Sequence, residues 1–497
     1  MAREPVAEQD STSVAPTLRR RAPRFLVNRD FARLWYGQAI STVGDYVFDT
    51  TVTIWVATQL MDGSRWAPAA VGGVMISALL AIMVIGPAAG VFVDRWNKRR
   101  LMLRSEVVRG ILVASLLLLT LLPVGTIPVW LWLVLIYAIV FVINAAGQFF
   151  NPARFATIGD IVSDEADRTK AFGLGQATSA TAAILGPPLA APVLLTAGIG
   201  WALFANAVSY LVSFFAIRSV NFPPEERTAA GEAVTDSGSS WWSEFTAGLR
   251  MFAKNRFLVA LLIVFILSSL GTGSMTALLV FFVGENLHAA PQYLGLMTMV
   301  YGVGSIIGAL LSGRLAAWMT ARRLTWLGLM AGGLLFALYA RQTSFVIAAV
   351  VMFVVAVPVA AMNASLSPQL IAVTPREFLG RTVAVITPIS MAATALSVIA
   401  GGWLASTVLN GFHGTVLGLH IGRIDTIFMV ASALVITAGI YGFFALPPSP
   451  PREPMVIPNQ RRGIARAPRE LDTRRETSRT ADAYSPRESA IMVWATQ

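Results

Sequence analysis

The chain has 497 residues, of which 55% are apolar and only 13% charged, whereas soluble domains carry about 25% charged residues. That balance excludes a set of soluble domains and indicates a polytopic membrane protein. The absence of Cys excludes disulfides, thiolate metal sites and thiol nucleophiles, and the net charge of +11 lies in tails and loops, which argues against nucleic acid as a partner.

Residues 1–30 are polar and basic, with no apolar run resembling a secretory signal, and read as a cytoplasmic tail. Twelve apolar segments long enough to cross a bilayer follow, near 33–60, 68–93, 101–122, 128–150, 170–196, 200–218, 257–284, 292–313, 323–340, 343–365, 381–409 and 424–446. They are expected to be helical, because a segment in lipid must satisfy its backbone internally. The prolines in Gly86-Pro87, Gly186-Pro187-Pro188, Pro358 and Pro388 mark expected kinks. With the first span starting inside, only Arg65, Arg341 and Arg423 of the 38 Lys and Arg residues fall outside. This positive-inside bias puts both termini in the cytoplasm.

The first six spans form a unit over 31–218 and the last six a unit over 257–446. Between them, 219–256 reads as a flexible linker followed by an amphipathic surface helix with Trp241, Trp242, Phe245, Leu249 and Phe252 at helical spacing. The Pro- and Arg-rich tail, 447–497, lacks a core pattern and is expected to be disordered, resting on anionic lipid headgroups. An internal repeat supports the six-plus-six division. GVFVDRWNKRR (90–100) follows the second span, and GRLAAWMTARR (313–323) follows the eighth. Arg168-Thr169 before the fifth span matches Arg381-Thr382 before the eleventh. Two related halves imply a pseudo-symmetric transporter with a cavity between them.

The first span carries two acids, Asp45 and Asp49, on one helix face. Counted from Arg33 they lie about 18 Å and about 24 Å in, near the midplane, where lipid contact is prohibitive. They are expected to face the cavity. No cation stands at comparable depth by this count: Arg109 is about 13 Å in, with Glu106 available at i−3. Two such carboxylates suit proton coupling, and Asp49 equally suits binding of a cationic substrate. The alternative for Asp45 is a structural acceptor near a gate, and for Asp49 a position closer to outer water. Further cavity candidates are Tyr46, Asn144, Gln148, Gln176, Asn206, Tyr301 and Asn363, each also explicable as an interhelical hydrogen bond. Met75, Met83, Met297 and Met299 offer adaptable apolar surface or ordinary packing. Gly302-x-Gly304-x-x-x-Gly308 has the wrong spacing for a nucleotide fingerprint and reads as close helix packing. His288, His413 and His420 lack metal-ligand spacing, so no metal is expected. No phosphate loop, HExxH or nucleophile elbow occurs, so neither ATP-driven transport by this chain nor an enzyme is indicated.

GVFVDRWNKRR resembles the loop motif that follows the second span in the major facilitator superfamily. The resemblance implies an all-α fold of twelve transmembrane helices in two six-helix bundles. It also implies a conformational latch at Gly90, Asp94, Arg95, Arg99 and Arg100, with the helix after Gly380 as partner. ATAAILGPPLAAP (180–192) is similar to the family's span-five antiporter motif, keeping Gly186 and Pro187 but replacing glycines by Ala182, Ala190 and Ala191. RDFARLWYGQAISTVGDYVF (29–48), the run from Asn151 to Asp160 and the run from Phe204 to Tyr210 resemble the enterobactin-exporter and macrolide-efflux-like branch. The implied function is a monomeric, proton-coupled efflux antiporter of amphipathic small molecules in the bacterial inner membrane, using the proton gradient and no cofactor. An uptake facilitator or lysolipid flippase of the same fold, and a non-transporting membrane sensor, remain as alternatives.

Overall fold

The computed structural model describes residues 27–123, 125–222, 255–373, 379–412, 414–416 and 419–446. Twelve helices account for nearly all of them. They are α1 (Arg29–Trp55), α2 (Ala67–Arg95), α3 (Lys98–Thr120), α4 (Val129–Ile161), α5 (Glu165–Pro192) and α6 (Ile199–Arg218), then α7 (Arg256–Phe281), α8 (Tyr293–Trp318), α9 (Ala321–Ala340), α10 (Phe345–Val373), α11 (Leu379–Ser406) and α12 (Arg423–Ala445). One short hairpin, β1 (Gly414–Val416) with β2 (Leu419–Ile421), joins α11 to α12. The predicted surface helix in the 219–256 linker and the basic tails lie outside the described residues, apart from the edges of those segments.

Nine of the helices are long and apolar enough to cross a membrane on composition alone. The other three are α1, α3 and α5; α1 carries Asp45 and Asp49, and α3 carries Glu106 and Arg109. Helix α4 runs eleven residues beyond the predicted edge at 150. Hydropathy stops there, but the helix continues because Ala153 and Ile158 still bury a face, in a cluster with Phe31, Leu34, Val93 and Met102.

Short polar side chains cap the starts of α1, α3, α5, α7 and α9: Asn28, Asn97, Asp164, Asn255 and Thr320 accept from first-turn amides. All five caps fall at the same end of the molecule, where α1 begins. At the opposite end, α1, α5 and α7 finish in single π-helical turns, Val56–Leu60, Val193–Ala197 and Phe282–Asn286. Helix α11 finishes with a bond of the same type from Leu409 N to Leu404 O, at 2.9 Å.

The two halves pack by one plan. In the first, α1 contacts α5 and α6, α2 contacts α4, and α3 contacts α4 and α6. In the second, α7 contacts α11 and α12, α8 contacts α10, and α9 contacts α10 and α12. The sequence repeat has a structural counterpart. Arg99 donates to Arg218 O at the end of α6 (2.7 Å) and lies over Phe222; Arg322 donates to Phe443 O near the end of α12 and lies over Phe443. Each guanidinium supplies a donor and a positive charge to the carbonyl end of its bundle's last helix.

The bundles meet through α2 with α11 and α5 with α8. Contact is closest where α2 and α8 begin. A Cβ on Gly402 would press on Pro68 and Ala69, one on Gly295 would overlap Pro187 and Pro188, and one on Gly302 would overlap Ile184. Ala69 N donates to Ser406 Oγ across this contact, at 3.2 Å. Toward the other end, Gly173 and Gly175 on α5 and Gly313 on α8 have nothing within 4 Å of a Cβ position. Among the described residues, the two bundles are therefore in close contact at one end and apart at the end where α1 starts and α12 finishes. Gly304 and Gly308 seat α8 against Phe353 and Val357 of α10, the packing role expected of that glycine run. Large exposed apolar side chains such as Trp130, Leu310, Phe215 and Phe444 suit an outer wall in contact with lipid.

Candidate transport site

One face of α1 lines a cleft of about 320 Å³ in the first bundle, completed by α3, α4 and α5. Gln38, Ser41, Thr42, Asp45 and Asp49 follow one another at helical spacing along that face. The α1 backbone fits here because Gly44 sits against Asn206 and Ser209 of α6, where a Cβ would lie 2.6 Å from Asn206 Oδ1.

The two aspartates have different surroundings. Asp45 Oδ1 accepts a short hydrogen bond from the Tyr210 hydroxyl of α6, and Asp45 Oδ2 lies 3.9 Å from Arg109 Nη1 of α3. The carboxylate of Asp49 faces the cleft and has no hydrogen bond or ion pair among the described residues. Arg109 also donates from Nε to Ile143 O at 3.3 Å, and its guanidinium lies over the Phe150 and Tyr210 rings, 5.4 and 5.9 Å from their centroids. Gly147 of α4 makes room for it: a Cβ there would stand 2.5 Å from Arg109 Nη2.

This corrects the expectation that no cation reaches the depth of Asp45. Counting helical rise places the Cα of Arg109 nearer the membrane surface, but the long arginine stem carries the charge further. The expected pairing of Arg109 with Glu106 is also replaced. Glu106 accepts instead from Ser213 Oγ (2.7 Å) and Gln38 Nε2 (3.5 Å). A buried chain Gln38–Ser213–Glu106 thus runs beside the Asp45–Arg109–Tyr210 group.

Of the other predicted cavity residues, Tyr46, Asn144 and Gln148 line the cleft, with Asn144 Nδ2 also bonded to Val140 O at 2.9 Å. Gln176 lines a narrower adjoining crevice between α1, α4 and α5. Asn206 does not reach the cleft: it is fully buried in the α1–α6 contact, because the close approach at Gly44 seals it in. Tyr301 is half-buried on α8 against the core of the closed end, and Asn363 is exposed on α10. Gly186 packs on Tyr46 of α1, and the Pro187 carbonyl sits against Gly295 of α8, so the span-five motif joins α5 to both neighbours. The side chains of Asp94 and Arg95, and the surroundings of Gly90, are outside what is described; Arg99 caps α6 and Arg100 N bonds to Asn97 Oδ1 at 2.9 Å. No group of metal-ligating side chains occurs among the described residues.

Two six-helix bundles packed on one plan, the first holding a charged cleft, define a multi-pass membrane protein of the transporter type of fold. The model of the major facilitator superfamily matches residues 34–387 and 261–485, and the chain belongs to that family. The "Putative bacilysin exporter BacE" of Bacillus subtilis (strain 168) is 30% identical over 287 residues, covering 56% of this chain and 64% of that protein. Macrolide efflux protein A of Streptococcus pyogenes is 21% identical over 283 residues, covering 57% of this chain and 66% of that protein. This chain thus spans less than two thirds of the length of these curated relatives. The nucleoside transporter NupG shares the fold with a TM-score of 0.61, at 12% identity, over 84% of this chain and 98% of its own.

Proposed function

We propose that the protein is a proton-coupled exporter of small molecules that works by alternating access, with both termini cytoplasmic and the proton gradient as its energy source. The observation that carries the reading is that Asp45 and Asp49 lie along one cleft wall and that Arg109 forms an ion pair with Asp45 and none with Asp49. A carboxylate without an ion pair, inside a bilayer, calls for neutralisation by a proton or by a cationic substrate, and competition between the two is antiport. Asp49, facing the cleft, is the site of exchange; Asp45, tied to Tyr210 and Arg109, reports its state to α3 and α6. The names of the exporter relatives support export from the cytoplasm over uptake.

Everted membrane vesicles with an imposed proton gradient and a pH-sensitive dye test this. A substrate should collapse the gradient with the wild type, and Asp45→Asn and Asp49→Asn at matched expression should each cut the response about tenfold or more. Wild-type responses from both variants would make the aspartates structural. Proton flux in the opposite sense would identify uptake.

A further inference from the structure

The cleft holds a second charge with no partner, and its sign is positive. Arg154 of α4 lines the same space as Asp49, and it also borders the adjoining crevice with Gln38 and Ser179. Its Nε is buried without a hydrogen bond, it forms no ion pair among the described residues, and its guanidinium rests over the ring of Phe155, 5.4 Å from the centroid. Three neighbouring basic side chains at this end of the molecule have structural work. Lys98 pairs with Asp160 at 2.9 Å, Arg99 caps α6, and Arg168 donates to Val162 O at 2.6 Å. Arg154 has none. An anchor for lipid phosphate would point outward, but Arg154 lies between α1, α4 and α5.

The two free charges stand apart. Gly147 is level with the Arg109 guanidinium, and Arg154 is seven residues further toward the open end, about 10 Å along α4. Asp49 is four residues beyond Asp45 toward the closed end, about 6 Å along α1. After allowance for side-chain reach, the charges are separated by on the order of 10 Å. Asn144 and Gln148 line the space with them.

We infer that the cleft selects zwitterions, with the anionic oxygen group of the ligand on Arg154 and its ammonium on Asp49; this rests on the transport reading above. A lipophilic cation would satisfy Asp49 and leave Arg154 desolvated and repelling it, which is discrimination by an unpaired charge. At about 3.3–3.6 Å per residue, a three- or four-residue peptide with free termini has the required span.

The test uses the purified full-length chain in lipid nanodiscs for binding, and in proteoliposomes for gradient collapse. The probes are a pool of tripeptides with free termini, the same pool N-acetylated, the same pool C-amidated, and tetraphenylphosphonium. Blocking either terminus should weaken binding about tenfold or more, the weight of one charge-assisted contact. Arg154→Gln should erase the penalty for amidation and keep that for acetylation; Asp49→Asn should do the reverse. Arg154→Lys should restore the amidation penalty in part, and serves if Arg154→Gln does not fold. Absence of binding by the free-termini pool, or tetraphenylphosphonium binding better than the peptides and indifferent to Arg154→Gln, overturns the inference. The transport reading fails separately. Peptide binding with this pattern but no gradient collapse removes proton coupling and keeps the zwitterion site. Collapse by tetraphenylphosphonium alone keeps proton coupling and removes the site.

Discussion

Arg109 decides how the charged cluster is held, because it bridges the cleft wall to the buried side of α3. It faces Asp45, shares Tyr210 with it, and threads past α4 only because residue 147 has no side chain. Arg109→Gln leaves Asp45 without its cation; breaking a fully buried pair costs about 3–5 kcal/mol, and the cost here is smaller because the pair stands at 3.9 Å and the Asp45 side chain is 36% exposed to the cleft. The variant should therefore melt below the wild type. Adding Asp45→Asn should recover a large part of the loss, since neutral partners carry no unpaired charge. Gly147→Ala should weaken transport without removing a charge, by pushing the guanidinium off its position. Melting temperatures of the two single variants and the double variant, read as a cycle, check the pairing. If the second substitution recovers nothing, the two side chains act independently. At this scale the sequence is only partly legible. Asp45 and Asp49 declare themselves, since acids in a span need a reason. Tyr210 and Ser213 do not, because a tyrosine or serine on an apolar helix looks the same whether it packs or bonds. Asn206 misleads for the same reason: its type says polar, and only the crossing at Gly44 says buried.

The helices themselves were almost fully legible, because bilayer thickness sets their length and lipid sets their composition. What could not be read was anything that tertiary contact adds beyond the membrane, such as the last eleven residues of α4 or the π-helical ends of α1, α5 and α7. The contact of α5 with α8 belongs between these cases. The small residues and prolines of 180–192 announce a close approach, but not its partner, which is Gly295. A Cβ at that position would overlap the Pro187 carbonyl, and the obstacle is backbone, which cannot swing away. Gly295→Val should therefore disfavour the conformation closed at this end and shift the population toward one open there, while each bundle stays folded. The absence of native Cys allows spin labels to be placed freely. A pair on the starts of α2 and α8 should lengthen its mean distance in Gly295→Val. An unchanged distribution would mean that this contact does not determine which end is closed.

On the scale of the whole molecule, the two halves share a packing plan but not a charge plan. Gly271 packs on Ala431 and Val435 in α7 much as Gly44 packs on α6, yet the residues one and five places on are Thr272 and Thr276, not aspartates. The ion pairs described in the second bundle, Arg341–Asp425 and Arg423–Glu285, sit at the closed end and not inside the bundle. Under the proposed mechanism the second bundle is the uncharged partner against which the charged bundle would rock, and protons would act on one side of the interface only. That makes the number of coupled protons measurable. Moving an equilibrium from 1:99 to 99:1 takes about 5.5 kcal/mol, and a proton taken up by only one state supplies at most about 1.4 kcal/mol per pH unit. The logarithm of the ratio of the two conformations should therefore change with pH by up to one unit per unit for each coupled group. If Asp49 alone exchanges its proton, the slope approaches one in the wild type and vanishes in Asp49→Asn. If Asp45 joins it, the slope approaches two, and each single variant retains about one. Spin-label distances across α2 and α8, recorded from about pH 5 to pH 9, give this slope directly. A flat profile in the wild type would show that the cluster holds the fold together without driving its movement.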